Sequence, residues 1–233
     1  MIHFLHGEGR SIEGILFDMD GVLVDSIPHH IHSWNHVFRE YGLSDFDREI
    51  YFSALGRTNA EMLNVFCSER GITLDDVQKE EILLQKEEIF RESISSCGTT
   101  TPGVRTWLEF CHDQGCLCAV ASSSTMANIT HVLSSLALDD YFSVLISGRH
   151  LPKTKPDPQI FLSAGAALGI AADSCLVIED APAGVAAAKS AHMACIAITT
   201  SYSRQLLKDA DLILETLSEK EPGTILVPDE RQV

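Results

Sequence analysis

From Cys97 onward the chain alternates short apolar runs with helix-period segments, and no other feature restricts its fold as much. Residues 116–121, 143–146, 175–178, 194–198 and 212–214 read as strands, while 102–113, 125–137, 158–168 and 182–191 read as helices. Run 116–121 is apolar throughout, as expected of a strand covered on both faces. Such alternation predicts a parallel sheet flanked by helices. An earlier run at 14–17 has the same strand character and breaks into Asp18-Met19-Asp20-Gly21. Open α/β sheets place ligands at the C-terminal ends of their strands, so this break is a candidate site.

Asp18 and Asp20 are two positions apart and on an extended strand would converge on one point. Two carboxylates so placed repel unless a cation lies between them or one is protonated. Gly21 permits a sharp turn over that point. The plainer alternative is that Asp20 caps the following helix. Other predicted strands end in residues of suitable type. Run 116–121 ends in Ser122-Ser123-Ser124 before a helix, where hydroxyls and unpaired N–H groups form a phosphate cradle or a simple N-cap. After 143–146 comes Lys153-Thr154-Lys155-Pro156, and after 175–178 comes Glu179-Asp180. Two aspartates, a serine, a lysine and an acidic pair at the ends of one sheet suit phosphoryl transfer around a hard cation such as Mg²⁺.

Strand patterns are scarce between Ile27 and Ser96, where helical spacing prevails. One helix carries Ile27, Ile31, Trp34, Val37, Phe38 and Tyr41 and stops at Gly42. A second spans 59–70 and closes at Gly71, and Thr73-Leu74-Asp75-Asp76 resembles a capping box opening a third that runs to 90–93. The tail from Ser218 to Val233 is polar and is expected to be loosely ordered.

Composition narrows the function classes. A net charge of −16 excludes a phosphate-backbone binder, so an anionic substrate needs positive charge supplied locally. No apolar run is long enough to span a bilayer, and the first residues lack a signal-peptide core. Seven cysteines, an odd number in apolar contexts, read as reduced core residues of a cytoplasmic protein. A Cys111/Cys116/Cys118 metal site is a weaker alternative, because Cys116 and Cys118 alternate across a predicted strand.

The order Asp18-Met19-Asp20-Gly21-Val22-Leu23, Ser122, Lys155-Pro156 and Glu179-Asp180 resembles the haloacid dehalogenase-like superfamily of aspartate-nucleophile phosphatases. The helical insert directly after the first motif resembles its beta-phosphoglucomutase-like branch. The resemblance covers residues 12–217 and implies an α/β fold: a Rossmann-like three-layer core with a parallel central sheet, plus an inserted α-helical cap domain. The expected division is 1–26 and 97–233 for the core and 27–96 for the cap. It implies that Asp18 is the nucleophile of an aspartyl-phosphate, Asp20 the general acid and base, and Ser122 and Lys155 the phosphoryl-binding groups. Mg²⁺ would be held by the Asp18 carboxylate, the Asp20 carbonyl and Asp180, with Glu179 as a ligand or just behind one. Substrate contacts would come from Ser123, His30, Lys86 and the loop with Gly56, Arg57 and Asn59. The related mutase has a phosphate-binding arginine three residues beyond that glycine, where this chain has Asn59. Arg57 follows the glycine immediately, as in many phosphatases of the branch. The expectation is therefore a Mg²⁺-dependent phosphatase, monomer or dimer, acting on a small phosphorylated metabolite such as a sugar phosphate. A phosphomutase and a catalytically silent phosphometabolite sensor are the alternatives.

Overall fold

In the computed structural model, which describes residues 2–6, 9–53 and 58–228, two short strands, β1 (Ile2–Phe4) and β2 (Ser11–Ile12), lead into β3 (Gly14–Phe17). The chain then runs through α1 (Ile27–Glu40), α2 (Arg48–Ser53), α3 (Asn59–Arg70) and α4 (Asp76–Cys97). It continues as α5 (Val104–Asp113), β4 (Leu117–Ser122), α6 (Met126–Ser135), β5 (Val144–Ser147), α7 (Gln159–Leu168) and β6 (Cys175–Glu179). The last elements are α8 (Pro182–Ser190), β7 (Ala194–Ile198), β8 (Leu212–Leu214) and β9 (Leu226–Pro228). Two units separate: Met1–Asp25 with Thr99–Val233, and Ser26–Gly98.

The first unit is built on a parallel sheet of order β5-β4-β3-β6-β7-β8. From β3 the chain fills one side with β4 and β5, then crosses to fill the other with β6, β7 and β8. The order therefore reverses beside β3, the position at which such sheets open a crevice. Register aligns Phe17 with Val120 on one side and Ile178 on the other, so β3, β4 and β6 deliver their following residues to one edge. All four β3 residues are buried, as a strand covered on both faces requires. Leu16, Ala119, Ala121 and Val177 pack with Phe161 of α7 and Val185 of α8. Phe17 alternates to the opposite face, where it meets Phe142 edge-on at 5.8 Å. Helices cover both faces, giving the Rossmann-like three-layer arrangement.

Two parts of this unit depart from the sequence reading. β1, β2 and β9 form a small antiparallel sheet of order β2-β1-β9 that the sequence did not suggest. It pairs Ile2 with Ile12 and Phe4 with Leu226, and these four side chains are buried. The tail from Ser218 is thus ordered through Pro228, because Ile225 and Leu226 supply the apolar anchor that its polar composition conceals.

The second unit contains only helices among its described residues. Trp34, Phe38, Phe46 and Phe66 form its aromatic centre, with Phe38 and Phe66 ring centroids 4.4 Å apart. Reciprocal capping boxes open α3 at Thr58/Glu61 and α4 at Asp75/Gln78, so Asp75 rather than Thr73 is the cap of α4. Helix α2 went unseen in the sequence because its six residues are too few to show a period; Asp47 Oδ1 accepts the Ile50 N–H at its start, at 2.9 Å. Among the described residues no helix is long and apolar enough to cross a membrane.

Candidate active site

The site is assembled at the ends of β3, β4 and β6. Beyond Phe17 the Asp18 N–H still donates to the Ile178 carbonyl at 3.0 Å, so the ladder holds the Asp18 backbone before the strand ends. The chain then folds tightly, with the N–H groups of Val22, Leu23 and Val24 all directed at the Met19 carbonyl. Gly21 sits at φ +78 in this turn, and a Cβ there would lie 1.9 Å from Asp180 Oδ2. No side chain fits between the turn and Asp180.

Lys155 joins the strand ends. Its ammonium donates to Asp18 Oδ1 at 2.6 Å, to Glu179 Oε1 at 2.7 Å and to the Ala121 carbonyl at 3.2 Å. Those are three acceptors for three donors, one each from the ends of β3, β6 and β4. The other Glu179 oxygen accepts the N–H groups of Asp180 and Ala181, each at 2.8 Å, so both carboxylate oxygens are engaged. Gly184 in α8 makes this possible: a Cβ there would fall 1.7 Å from Glu179 Oε1. Asp180 Oδ2 accepts from the Ser201 hydroxyl and, at 3.4 Å, from Thr200, whose hydroxyl also donates to the Gly21 carbonyl at 2.7 Å. Ser122 is buried at the end of β4, and its hydroxyl accepts the Ser124 N–H at 3.1 Å. Ser123 is exposed in the turn. Asp20 accepts from the Ser124 hydroxyl at 2.8 Å.

Asp18, Glu179 and Asp180 bring ligand oxygens within 4.8 Å of one another, and among the described residues no other such cluster of His, Cys, Asp or Glu occurs. The cysteine alternative therefore lacks support; all seven are free thiols. Burial pushes the Asp18 carboxyl up to about 7, with Glu179 and Asp20 adding to the rise and Lys155 opposing it. Burial likewise carries Asp180 well above the ordinary carboxylate range, with Glu179 and Asp18 adding repulsion and Ser201 and Lys155 countering it. Burial alone would lower the Lys155 ammonium, but Asp18 and Glu179 outweigh it and raise it. One lysine is too little positive charge for three clustered carboxylates. The deficit, and a donor set of hard oxygens, fit a small divalent cation such as Mg²⁺.

Of the substrate contacts expected in the helical unit, the structure gathers His30, Lys86 and Asn59 into one cluster around Glu87. Lys86 is fully buried; its ammonium lies 3.0 Å from His30 Nδ1 and 3.4 Å from Glu87 Oε1. An ammonium only donates, so Nδ1 is the acceptor in that contact. The Asn59 amide donates to the same Glu87 oxygen. The His30 ring lies flat on Phe90, with centroids 4.2 Å apart. Gly56 and Arg57 fall outside the described residues. Ser147, Thr200, Ser201 and Glu87 were missed, and Ser124 was named only within the Ser122-Ser123-Ser124 run, with no role of its own. Thr200 and Ser201 follow β7, so the strand-end rule that selected Ser122 could have found them.

A model of the family described as haloacid dehalogenase-like hydrolase matches residues 15–198. Beta-phosphoglucomutase of Bacillus subtilis (strain 168) is 30% identical over 212 residues, 89% of this chain and 91% of the relative. Hexitol phosphatase B of Escherichia coli (strain K12) is 30% identical over 215 residues, 90% of this chain and 95% of the relative. A crystal structure of CbbY from Rhodobacter sphaeroides in complex with phosphate superposes with a TM-score of 0.82 at 26% identity, covering 89% of this chain and 96% of that one.

Proposed function

We propose, from the premise that this chain belongs to the haloacid dehalogenase-like hydrolase family, that it is a Mg²⁺-dependent phosphatase of a small phosphorylated metabolite, a sugar or sugar-alcohol phosphate. The observation that carries this reading is Lys155, whose single ammonium holds Asp18 and Glu179 together beside Asp180. In the proposed reaction a carboxylate oxygen of Asp18 attacks phosphorus, forming an aspartyl-phosphate (an acyl phosphate) as the bond to the leaving oxygen breaks. Asp20 gives its proton to that oxygen. Water then attacks the same phosphorus, Asp20 takes a proton from it, and the acyl-phosphate bond to Asp18 breaks to release phosphate. Ser122 and Lys155 donate to the phosphoryl oxygens, on which negative charge is held throughout. Asp18, Asp180 and the Asp20 carbonyl are the groups that would hold Mg²⁺. When bound, the ion offsets the repulsion between carboxylate and phosphate.

A phosphomutase differs only in the acceptor, and the equal 30% identity to a mutase and a phosphatase keeps that reading open. Hydrolysis is favoured by Asn59, whose amide is directed at the Glu87 carboxylate. A neutral amide cannot give the second phosphate of a bisphosphorylated intermediate the paired, charge-assisted contacts of a guanidinium. His30 and Lys86 are kept as proposed substrate contacts. The seven free thiols support a reducing, cytoplasmic setting.

The test is to supply beta-glucose 1-phosphate with a trace of the 1,6-bisphosphate, alongside a panel of sugar and sugar-alcohol phosphates, with and without Mg²⁺. Free phosphate from at least one panel member, dependent on Mg²⁺, supports the hydrolase. Glucose 6-phosphate forming much faster than free phosphate overturns it in favour of the mutase.

A further inference from the structure

Ser124 belongs to none of the four motifs, yet each of its polar groups is used by a different part of the core. Its N–H donates to the Ser122 hydroxyl at the end of β4, at 3.1 Å. Its carbonyl accepts from the Ser147 hydroxyl at the end of β5, at 2.7 Å. Its own hydroxyl donates to Asp20 Oδ2 beyond β3, at 2.8 Å. A serine that merely capped α6 would direct its oxygen to a helix N–H. That task falls to Thr125, whose side chain accepts the Asn128 N–H at 3.2 Å. The turn is also seated from below: a Cβ on Gly148 would lie 3.4 Å from the Ser123 Cα.

We propose that Ser124 is a positioning residue for Asp20, fixing that carboxyl's orientation relative to the 122–124 turn that receives the phosphoryl group. The inference rests on the phosphatase reading, in which Asp20 moves a proton to the leaving oxygen and later from water. Ser147 buttresses the arrangement by holding the Ser124 carbonyl; it is itself buried. A hydroxyl bond to one carboxylate oxygen sets the rotation of the carboxyl about its Cβ–Cγ bond. The turn that binds the phosphoryl group and the acid that protonates its leaving oxygen are thereby held in one register. Misplacement by about 1 Å at such a position costs on the order of 10²-fold in rate.

The experiment compares wild type, Ser124→Ala and Ser124→Thr on two probes, p-nitrophenyl phosphate and sorbitol 6-phosphate, with Mg²⁺. kcat/KM reports the first phosphoryl transfer, and only the alkyl ester needs a proton on its leaving oxygen. Ser124→Ala is expected to lower kcat/KM for sorbitol 6-phosphate by about 10–100-fold and for p-nitrophenyl phosphate by less than about threefold. Ser124→Thr, which keeps the hydroxyl, is expected to stay within about threefold of wild type on both. Equal losses on the two probes, or none, would overturn the proposal. Crystal structures of wild type and Ser124→Ala give a second readout: a rotated Asp20 carboxyl supports it, an unmoved one refutes it. A wild type inactive on both probes counts against the phosphatase reading, while the crystallographic comparison still decides the role of Ser124.

Discussion

Replacing Lys155 with Met removes the one cation among the carboxylates and tests the electrostatic argument directly. The wild-type ammonium lies 2.6 Å from Asp18 and 2.7 Å from Glu179, with only 9% of its side chain exposed. Without it, carboxylates whose oxygens approach within 4.8 Å face each other uncompensated. At an effective dielectric of about 20, two full charges at that separation repel by ~3.5 kcal/mol, the upper end of the effect because the raised Asp18 carboxyl can take a proton instead. Measured losses on breaking buried pairs, about 3–5 kcal/mol, agree in size. For a chain of this length that corresponds to a fall in Tm of roughly 7–14 °C. The assay is thermal unfolding in chelator at pH 7.5, repeated with Mg²⁺, with circular dichroism to show that the variant folds. Magnesium is expected to recover part of the loss, since the ion supplies the missing positive charge, whereas turnover stays at least ~10²-fold down for want of the phosphoryl contact. Lys155→Arg, which keeps the charge, is expected to lose less stability than Lys155→Met. A metal-free Lys155→Met protein within about 1 kcal/mol of wild type would refute the reasoning.

Gly184→Ala drives a methyl into the space held by Glu179 Oε1, 1.7 Å away. It is expected to cost about 3 kcal/mol by chemical denaturation, whereas alanine at an open helical glycine stabilises by up to ~1 kcal/mol. The Asp18 carboxyl, held at about 7 by burial, binds a proton in the folded chain that the unfolded chain has released above its ordinary value of 3.8. Metal-free stability contributed by Asp18 therefore falls as pH rises from 3.8 towards about 7, with Asp180 adding in the same direction; the stability from the raised Lys155 is fully present and constant across that window. The Tm gain from Mg²⁺ is accordingly expected to be larger at pH 8 than at pH 5.5, and an equal gain at both would count against it. Asp180→Asn is expected to weaken Mg²⁺ binding more than Glu179→Gln does, as measured by calorimetry.

The motifs were legible because the physics behind them is local. A carboxylate or hydroxyl one residue past a buried strand lies at the sheet edge whatever surrounds it, so Asp18, Ser122 and Glu179-Asp180 could be selected without coordinates. Lys155 follows no strand directly, and its place among three acceptors came from the shape of a loop that propensity does not encode. Ser124 was hidden for another reason: beside Ser122 and Ser123 it looks like a capping residue, and only the partner of its hydroxyl distinguishes it. Strands β1 and β9 are three residues each and pair across almost the whole chain, so no window of sequence contains both. In the helical unit the capping boxes were half legible. Asp75 was in view, but Thr73, two positions earlier, drew the register.

The two acidic residues after β6 are adjacent in sequence but not equivalent. Glu179 spends one oxygen on Lys155 and the other on two N–H groups, and Gly184 clears the volume its carboxyl occupies. Three of its roughly four acceptor directions are thus already turned toward protein donors. Asp180 is tied through a single oxygen, by Ser201 and Thr200. Its carboxyl is thereby oriented without being consumed, and it abuts the Gly21 turn that follows Asp18. The physical division follows from this: Glu179 holds Lys155, Lys155 also holds Asp18, and Asp180 is held by the Ser201 and Thr200 hydroxyls. Exchanging the two residues would leave the composition and net charge of the site unchanged. It would nevertheless put the shorter carboxylate where Lys155 must be reached and the longer one against the Gly21 turn. Side-chain length thus favours the order Glu then Asp, which under the proposed function separates holding the lysine from holding the cation.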